Sequence, residues 1–209
     1  MQEYQKLDSL HALYIASIVA SELMGSKTFP LLFLNASVAI FTLPITFSIN
    51  DIIFEVYGKK RALSFVRSGL QILFFLFAFN LLAVILPPSA RFQTSSDAYQ
   101  LIFGKSMRII LASLTAFFVS ERLDVFVFSK IKAKLADHHL WLRNNVSNLL
   151  GQLIDTILFM TLAFYQPGNI GFLISLIIPY WLLKSFSSLA MTPLVYKGVA
   201  WLKEEEKKV

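Results

Sequence analysis

The chain has 209 residues, of which 56% are hydrophobic and 15% charged, with no cysteine and a formal net charge of +6. Soluble domains carry roughly 25% charged residues, so this composition indicates an integral membrane protein. The lack of cysteine excludes disulfides and thiolate metal sites, and no histidine cluster has zinc spacing. We therefore expect no metal and no cofactor. The basic residues lie in short segments beside apolar stretches, where membrane topology explains them better than nucleic-acid binding.

Six apolar stretches approach the ~20 residues that a helix needs to cross a bilayer. They predict an all-α integral membrane protein, a single domain over residues 1–209 built as a bundle of six transmembrane helices. Pro44 and Pro179 interrupt the second and sixth spans, and each removes one backbone hydrogen bond. A cavity beside the helix and a simple kink of the helix explain such a proline equally well. The predicted spans lie near 10–26, 29–57, 69–88, 107–129, 146–166 and 170–196.

The distribution of Lys and Arg predicts the orientation of the chain. If both termini are cytoplasmic, thirteen Lys and Arg lie in inner segments and four in outer ones. Because inner loops of membrane proteins are enriched in positive charge, we expect a multi-pass protein of the bacterial inner membrane with both termini inside. The longest outer connection, roughly Pro87 to Ser106, is predicted to lie outside the bilayer and could serve as a lid.

A polar stripe runs along the predicted fifth span. Asn145, Asn148, Gln152 and Asp155 follow one another at spacings of three, four and three residues, which place them on one helical face. The opposite face is fully apolar, so the stripe is expected to look inward at protein, water or a ligand. Asparagine and glutamine also hold membrane helices together, and for Asn145 alone that interpretation is favoured.

Three carboxylates on different spans are predicted to lie at one depth. Asp51, Asp124 and Asp155 each fall roughly 9 to 14 Å from the cytoplasmic boundary, at about 1.5 Å per residue. Isolated charges near the centre of a span cost ~2.5 to 3.5 kcal/mol each, so a shared depth indicates one shared site.

Other side chains are predicted to complete this site. Ser48 shares a face with Asp51, and Glu121 shares a face with Asp124. Lys184 is the expected counter-ion of one carboxylate, although an ion pair that only holds the sixth helix explains it equally well. An aromatic ring is expected to stack on the ligand, the candidates being Phe47, Phe117 and Phe159.

The chemistry of these side chains suits a flat, nitrogen-rich ligand. Two carboxylate oxygens can accept hydrogen bonds from adjacent N–H donors of a guanine-like base, and an amide N–H can donate to the carbonyl of that base. The same groups would also suit a cation. Residues alone therefore leave both ligand types open.

At these residues the sequence resembles the queuosine precursor transporters, also called the vitamin uptake transporter family. Three stretches carry the resemblance, and they amount to about a quarter of the chain. They are LPITFSINDIIFEVYGKKRA (Leu43 to Ala62), SERLDVFVFSKIK (Ser120 to Lys132) and LWLRNNVSNLLGQLIDTILF (Leu140 to Phe159). The resemblance implies a six-helix bundle similar to the substrate-binding components of energy-coupling-factor transporters.

The resemblance also implies the cargo and the residues that bind it. The cargo would be a 7-deazaguanine, either the cyano or aminomethyl precursor or the base queuine, imported for tRNA modification. The motif carboxylates fall on Asp51, Asp124 and Asp155, and the motif amides fall on Asn144, Asn145 and Gln152. Which 7-deazaguanine is preferred is not fixed by these motifs.

Several alternatives to an autonomous transporter remain. The chain could be a substrate-binding component that needs an energising partner, since it has no Walker-type phosphate loop. It could carry another planar heterocycle or vitamin. An enzyme is disfavoured because no hydrolase or metalloprotease motif is present, and a scaffold is disfavoured by the inward polar groups. Coupling to protons and formation of a homodimer stay open.

Overall fold

The computed structural model is mostly helical, in agreement with the predicted helical membrane protein. It describes the backbone of residues 5–31, 34–135 and 140–206, and the side chains of residues 5–31, 35–119, 151–183, 186 and 193–203. Five α-helices, one 3₁₀ helix and a two-stranded hairpin form the described chain. Their bounds are α1 Gln5–Met24, β1 Thr28–Leu31, β2 Leu34–Ser37, the 3₁₀ helix Val38–Phe41, α2 Leu43–Ile85, α3 Gln93–Leu135, α4 Leu140–Phe164 and α5 Ile170–Glu206.

Helix α2 is broken at Gly58, which has a φ of 76° and a ψ of 177°. This combination is nearly inaccessible to residues with a Cβ atom, so glycine permits the break. We call residues 43–57 α2a and residues 59–85 α2b. Both segments face one cavity, which is lined by Leu43 and Asn50 from α2a and by Val66 and Leu73 from α2b. With the break, the described chain has six α-helical segments, and each overlaps one predicted span.

The two ends of the described chain meet at one end of the molecule. Leu7 of α1 and Leu202 of α5 are buried in one cluster with α2a and α2b residues. Next to it, the Lys6 ammonium donates to the Trp201 carbonyl at 2.6 Å and lies 4.6 Å from the Trp201 ring centroid. We call this group the terminal cluster; its buried members are Leu7, Tyr14, Ile49, Ile52, Ile53, Ala62, Phe65 and Leu202.

A β-hairpin replaces the first part of the predicted second span. Residues 28–31 and 34–37 pair antiparallel, with Thr28 opposite Ser37, so the helix begins at Leu43 and not near residue 29. Pro30 has no N–H and is tolerated at the edge of such a pair. The apolar composition alone does not distinguish a buried hairpin from a helix, which is why the expected helix began too early.

The hairpin is fixed to the helices by side-chain hydrogen bonds. Ser37 Oγ donates to the Gly25 carbonyl at 2.6 Å and accepts from the Ala39 N–H at 3.2 Å. Asn35 Nδ2 donates to Ser175 Oγ at 2.9 Å. Non-helical backbone at membrane depth requires such partners. The apolar contacts form what we call the hairpin cluster, whose buried members are Ala36, Ile40, Met160, Leu173, Leu176 and Tyr180.

Helix α3 starts earlier than the predicted fourth span. It begins at Gln93 and therefore includes most of the connection that was predicted to lie outside the bilayer. Arg108 ties α3 to the end of α4, because its guanidinium donates to the carbonyls of Leu162 at 2.8 Å and Tyr165 at 2.7 Å. These carbonyls have no partner inside the helix, so the charged donor satisfies them.

Three stretches among the described residues are long and apolar enough to cross a membrane. They are Gln5–Met24, Val38–Ile85 and Gln93–Val119. Two shorter apolar helical stretches, Gly151–Phe164 and Ile170–Leu183, accompany them. Large apolar side chains such as Phe74 and Phe79 are exposed on the outside of the bundle. Length, composition and exposed apolar surface together describe a helical membrane protein.

Candidate functional site

A cavity of about 330 Å³ lies among all five α-helices, between the terminal cluster and the hairpin cluster. It touches the first through Tyr14 and the second through Met160 and Tyr180. Its volume is in the range of ordinary small-molecule sites, about 300 to 1,000 Å³. Ala39 and Thr42 border it on the side of the hairpin. The cavity is therefore a candidate ligand site inside the bundle.

Helix α4 contributes a carboxylate to the cavity wall. Asp155 lines the cavity, as does the next residue, Thr156, which is fully buried. Thr156 Oγ1 donates to the Gln152 carbonyl at 2.7 Å, a bond typical of threonine within a helix. Asp155 is partly buried. Its acid group can accept hydrogen bonds from a ligand with adjacent N–H donors.

Helix α1 contributes a second carboxyl group. Glu22 lines the cavity and is only 6% exposed. Its Oε1 atom accepts a hydrogen bond at 2.8 Å from Ser113 Oγ of α3, another lining residue. Buried carboxylates are rare unless they are paired or used. Glu22 therefore has the properties expected of a binding residue.

Helix α2a and the residue before it, Thr42, contribute polar groups. Thr42, Thr46 and Asn50 follow each other at intervals of four residues and all line the cavity. This spacing places them on one face of the helix. The amide of Asn50 can both donate and accept hydrogen bonds, so this face can bind the polar edge of a ring-shaped ligand.

Aromatic rings contribute much of the apolar wall. Phe47, Phe117 and Phe159, the three predicted candidates for stacking, all line the cavity, together with Tyr14 and Tyr180. Tyr180 is fixed because its hydroxyl donates to the Ser37 carbonyl at 3.2 Å. Aromatic faces stack favourably on flat heterocycles. The wall therefore suits a planar ligand.

Three other predicted site residues do not line this cavity. Asp51 and Gln152 have exposed side chains. Ser48 is buried, and its hydroxyl has no hydrogen-bond partner among the described residues. Of the predicted carboxylates, the described residues thus place Asp155 at the cavity and Asp51 away from it. The shared depth of these acids did not specify the direction in which each side chain points.

Six predicted site residues lie outside the described side chains. They belong to the second part of α3, the first part of α4 and the middle of α5. They are Glu121, Asp124, Asn144, Asn145, Asn148 and Lys184.

Glu22, Asn50 and Ser113 line the cavity but were missing from the predicted site. Glu22 carried a usable signal, because it is an ionisable residue within an apolar span. Asn50 lies beside Asp51 in the sequence, and a carboxylate within an apolar span is the stronger signal of a site. Ser113 carried no signal, since a lone serine in an apolar helix is common.

Comparisons with known proteins agree on the family of the chain. Residues 37–198 match the family described as "Putative vitamin uptake transporter". A "Probable queuosine precursor transporter" of Bacillus subtilis (strain 168) is 32% identical over 190 residues, which cover 90% of this chain and 82% of that protein. A protein of the same description from Haemophilus influenzae is 26% identical over 130 residues, covering 61% of this chain and 52% of the relative. No solved structure matches the chain.

Proposed function

The chain belongs to the vitamin uptake transporter family, and from this membership we propose that it imports queuosine precursors across the bacterial inner membrane. Its cargo is a 7-deazaguanine, the flat bicyclic base from which queuosine is made. The relatives described as queuosine precursor transporters support this cargo. The protein acts as a carrier and not as an enzyme.

One observation supports this proposal most strongly, namely the composition of the cavity wall. It combines the carboxyl groups of Asp155 and Glu22 with the rings of Phe47, Phe117 and Phe159. Specific sites for small molecules typically have mostly apolar walls with a few precisely placed polar groups. A guanine-type base has two flat faces and adjacent N–H donors on one edge, so it matches both parts of the wall.

We assign the ring edge to Asp155. A carboxylate accepts two parallel hydrogen bonds, as the N–H and amino groups on one edge of the base require. Phe117 or Phe159 then contacts the face of the ring. A purine that lacks these donors cannot form this pair of hydrogen bonds with Asp155. We therefore expect adenine to bind more weakly than the cargo.

Uptake by cells that cannot make queuosine precursors tests this assignment. Asp155→Asn should lower the initial rate of uptake of a labelled 7-deazaguanine by ~10- to 100-fold, because a hydrogen bond to a charged group is worth about 1.5 to 3 kcal/mol. Glu55→Gln is the matched control, because it makes the same change from acid to amide at an exposed position. It should leave uptake unchanged.

Equal uptake by the two variants would remove Asp155 from the site. Failure of the unsubstituted protein to take up any 7-deazaguanine would contradict the proposed cargo. A shift of the thermal unfolding midpoint with queuine, absent with adenine, would support binding independently of transport.

We further propose that the six helical segments are six membrane spans arranged as in energy-coupling-factor substrate-binding components. Both termini then face the cytoplasm, as the excess of Lys and Arg in the inner segments favours. Lys6 and Trp201 are in contact, so the start of α1 and the end of α5 lie on the same side.

The source of energy separates two forms of this proposal. Purified protein in liposomes should import the base without another protein if it is an autonomous carrier. Transport only in the presence of an energising partner would make it a binding component. A rate that rises with an imposed proton gradient would indicate proton symport, and a rate indifferent to the gradient would exclude it.

A further inference from the structure

A second hollow lies on the outside of the bundle, apart from the central cavity. It is a groove of about 460 Å³ between α2b, α3 and α4. Phe77 and Leu81 line it from α2b, Met107 and Leu111 from α3, and Leu162 from α4. Among the described residues, none lines both this groove and the central cavity. It is therefore a separate candidate site, which we call the lateral groove.

The helices that form the lateral groove place it at membrane depth. Its α2b and α3 residues belong to the stretches Val38–Ile85 and Gln93–Val119, which are long and apolar enough to cross a membrane. Along α3 the groove runs from Gly104 to Thr115, a length of about 16 Å at 1.5 Å per residue. One leaflet contributes about half of the ~30 Å hydrocarbon core, so the groove is about as long as the apolar part of a leaflet is thick.

The wall of the lateral groove is almost entirely apolar. Arg108 and Thr115 are the two described lining residues that carry polar side-chain atoms. Leu81, Leu111 and Leu162 are exposed, so the hydrocarbon chains of a bilayer reach the groove directly. A polar ligand would lose its hydrogen bonds with water along this wall, whereas an acyl chain has none to lose.

Arg108 places a positive charge at one end of the lateral groove. Its Nε and Nη2 atoms donate to the carbonyls of Leu162 and Tyr165 at the C-terminal end of α4. Side chains of a helix lean toward its N-terminus, so the guanidinium extends toward Gly104 and away from Thr115. The end of α4 carries only a partial negative charge, and the net charge at this end of the groove therefore stays positive.

Arg108 also has donors left for a further acceptor. A guanidinium carries five N–H groups, and two of those of Arg108 are used for the α4 carbonyls. The other three have no acceptor among the described residues, and the side chain is exposed. Arginine binds phosphate through two parallel hydrogen bonds. Because the α4 carbonyls already fix the guanidinium, little further side-chain entropy is lost when an anion binds it.

Membrane topology does not account for this arginine. With both termini cytoplasmic, four of the nineteen Lys and Arg residues lie in outer segments, and Arg108 and the exposed Lys105 are two of them. Positive charge that determines orientation is enriched in inner segments. Two bases at the outer end of an apolar groove therefore indicate an anionic partner.

We propose that the lateral groove binds one phospholipid of the bilayer, with an acyl chain along α3 and the phosphate group on Arg108. Hydrocarbon then lies where the wall is apolar, and the anionic group lies where the groove ends in a cation. The lipid contacts three helices at once, so it stabilises their packing at this end of the bundle. This inference goes beyond the proposed function and does not depend on the transported cargo.

Lipid titration of the purified full-length protein in detergent, followed by native mass spectrometry, tests the proposal. The two lipids are phosphatidylglycerol and a diacylglycerol with the same acyl chains, which lacks the phosphate. The protein should bind phosphatidylglycerol ~10- to 100-fold more tightly, because a hydrogen bond to a charged group is worth about 1.5 to 3 kcal/mol. Inorganic phosphate at the same concentration should not displace the lipid.

Filling the groove tests the contribution of the acyl chain. Thr115→Trp adds a large neutral ring to the groove and leaves Arg108 in place. It should reduce the preference for phosphatidylglycerol to within about threefold. Ile102→Trp adds the same ring at an exposed position of α3 that does not line the groove, so it should keep the full preference.

Thermal unfolding gives a second readout. Phosphatidylglycerol should raise the unfolding midpoint of the unsubstituted protein and of Ile102→Trp, since a ligand that binds only the folded state stabilises it. It should leave the midpoint of Thr115→Trp unchanged. The comparison of the two lipids on the unsubstituted protein does not depend on the folding of either variant.

Four outcomes would overturn the inference. They are equal affinity for the two lipids, the full preference in Thr115→Trp, displacement of the lipid by inorganic phosphate, and a dimer of the unsubstituted protein that Thr115→Trp abolishes. The last would make the groove an interface between two copies of the chain. None of them bears on the uptake of 7-deazaguanines, which Asp155→Asn tests separately.

Discussion

Phe117 and Phe118 are neighbours in α3 that meet different surroundings. Phe117 lines the cavity, whereas Phe118 is 51% exposed on the outside of the bundle. Successive helical residues point about 100° apart, so adjacent rings serve different purposes. One is available to a ligand and the other to lipid.

Substitution of these two rings tests the stacking role. Phe117→Ala should weaken binding of a 7-deazaguanine by ~3- to 10-fold, because an aromatic pair contributes about 0.5 to 1.5 kcal/mol beyond its buried area. Phe118→Ala removes the same ring at the next position and should leave the dissociation constant unchanged. Similar losses in both variants, measured by calorimetry, would show that the effect comes from helix packing and not from contact with the ligand.

Asn50 and Asp51 show that the sequence indicates the polar character of a helix segment but not the direction in which each side chain points. The polar character of this part of α2a was evident, and it does border the cavity. Which of the two side chains faces inward depends on the rotation of the helix, and the neighbours of α2a set that rotation. Asn50 lines the cavity and Asp51 is exposed.

At the level of elements, Gly58 determines how α2 is divided. Its positive φ with extended ψ lies in a region that costs other residues about 1 to 3 kcal/mol. Gly58→Ala should therefore lower the thermal stability of the purified protein.

Gly104→Ala provides the control for this prediction. A Cβ atom would meet nothing within 4 Å at either glycine, so the two positions differ in backbone conformation and not in space. Gly104 lies within α3, where alanine is favoured over glycine by about 0.5 to 1 kcal/mol. The unfolding midpoint should fall for Gly58→Ala and stay or rise for Gly104→Ala. Equal midpoints would contradict the strained geometry at Gly58.

The hairpin illustrates the limit of sequence patterns at this scale. Long apolar helices were predictable because an uninterrupted run of about twenty apolar residues is typical of a membrane-spanning helix. Residues 28–31 and 34–37 are also mostly apolar, yet they form two strands. Their structure depends on partners far along the chain, such as Ser175 for Asn35 and Tyr180 for Ser37. No local pattern contains that information.

Across the whole molecule, the contact of the first and last helices predicts a common side for both termini. The chain contains no cysteine, so single cysteines can be introduced at exposed positions. Asp8→Cys and Lys203→Cys should resist a membrane-impermeant thiol reagent in intact cells and react after permeabilisation. Ala90→Cys, between α2b and α3, should react in intact cells.

Labelling of Asp8→Cys and Lys203→Cys from different sides would contradict the packing of the terminal cluster. Labelling of both from outside would keep that packing and reverse the proposed orientation.

The cavity as a whole was only partly predictable. The sequence indicated a polar site within a helical bundle. The predicted site included Asp155 and the three phenylalanines that line the cavity. It did not indicate the pair of Glu22 and Ser113, which are 91 residues apart and belong to different helices. Pairings of this kind arise from the tertiary arrangement, which a single sequence does not display.

The length of α3 has a practical consequence. Its 43 residues extend about 65 Å at 1.5 Å per residue, whereas a bilayer with its headgroups is about 40 to 45 Å thick. Even at a tilt of about 40°, the upper end of the usual range, a straight helix of this length is longer than the bilayer is thick. Part of α3 is therefore expected to lie outside the membrane of this 23.7 kDa protein, where an antibody fragment could bind it for imaging.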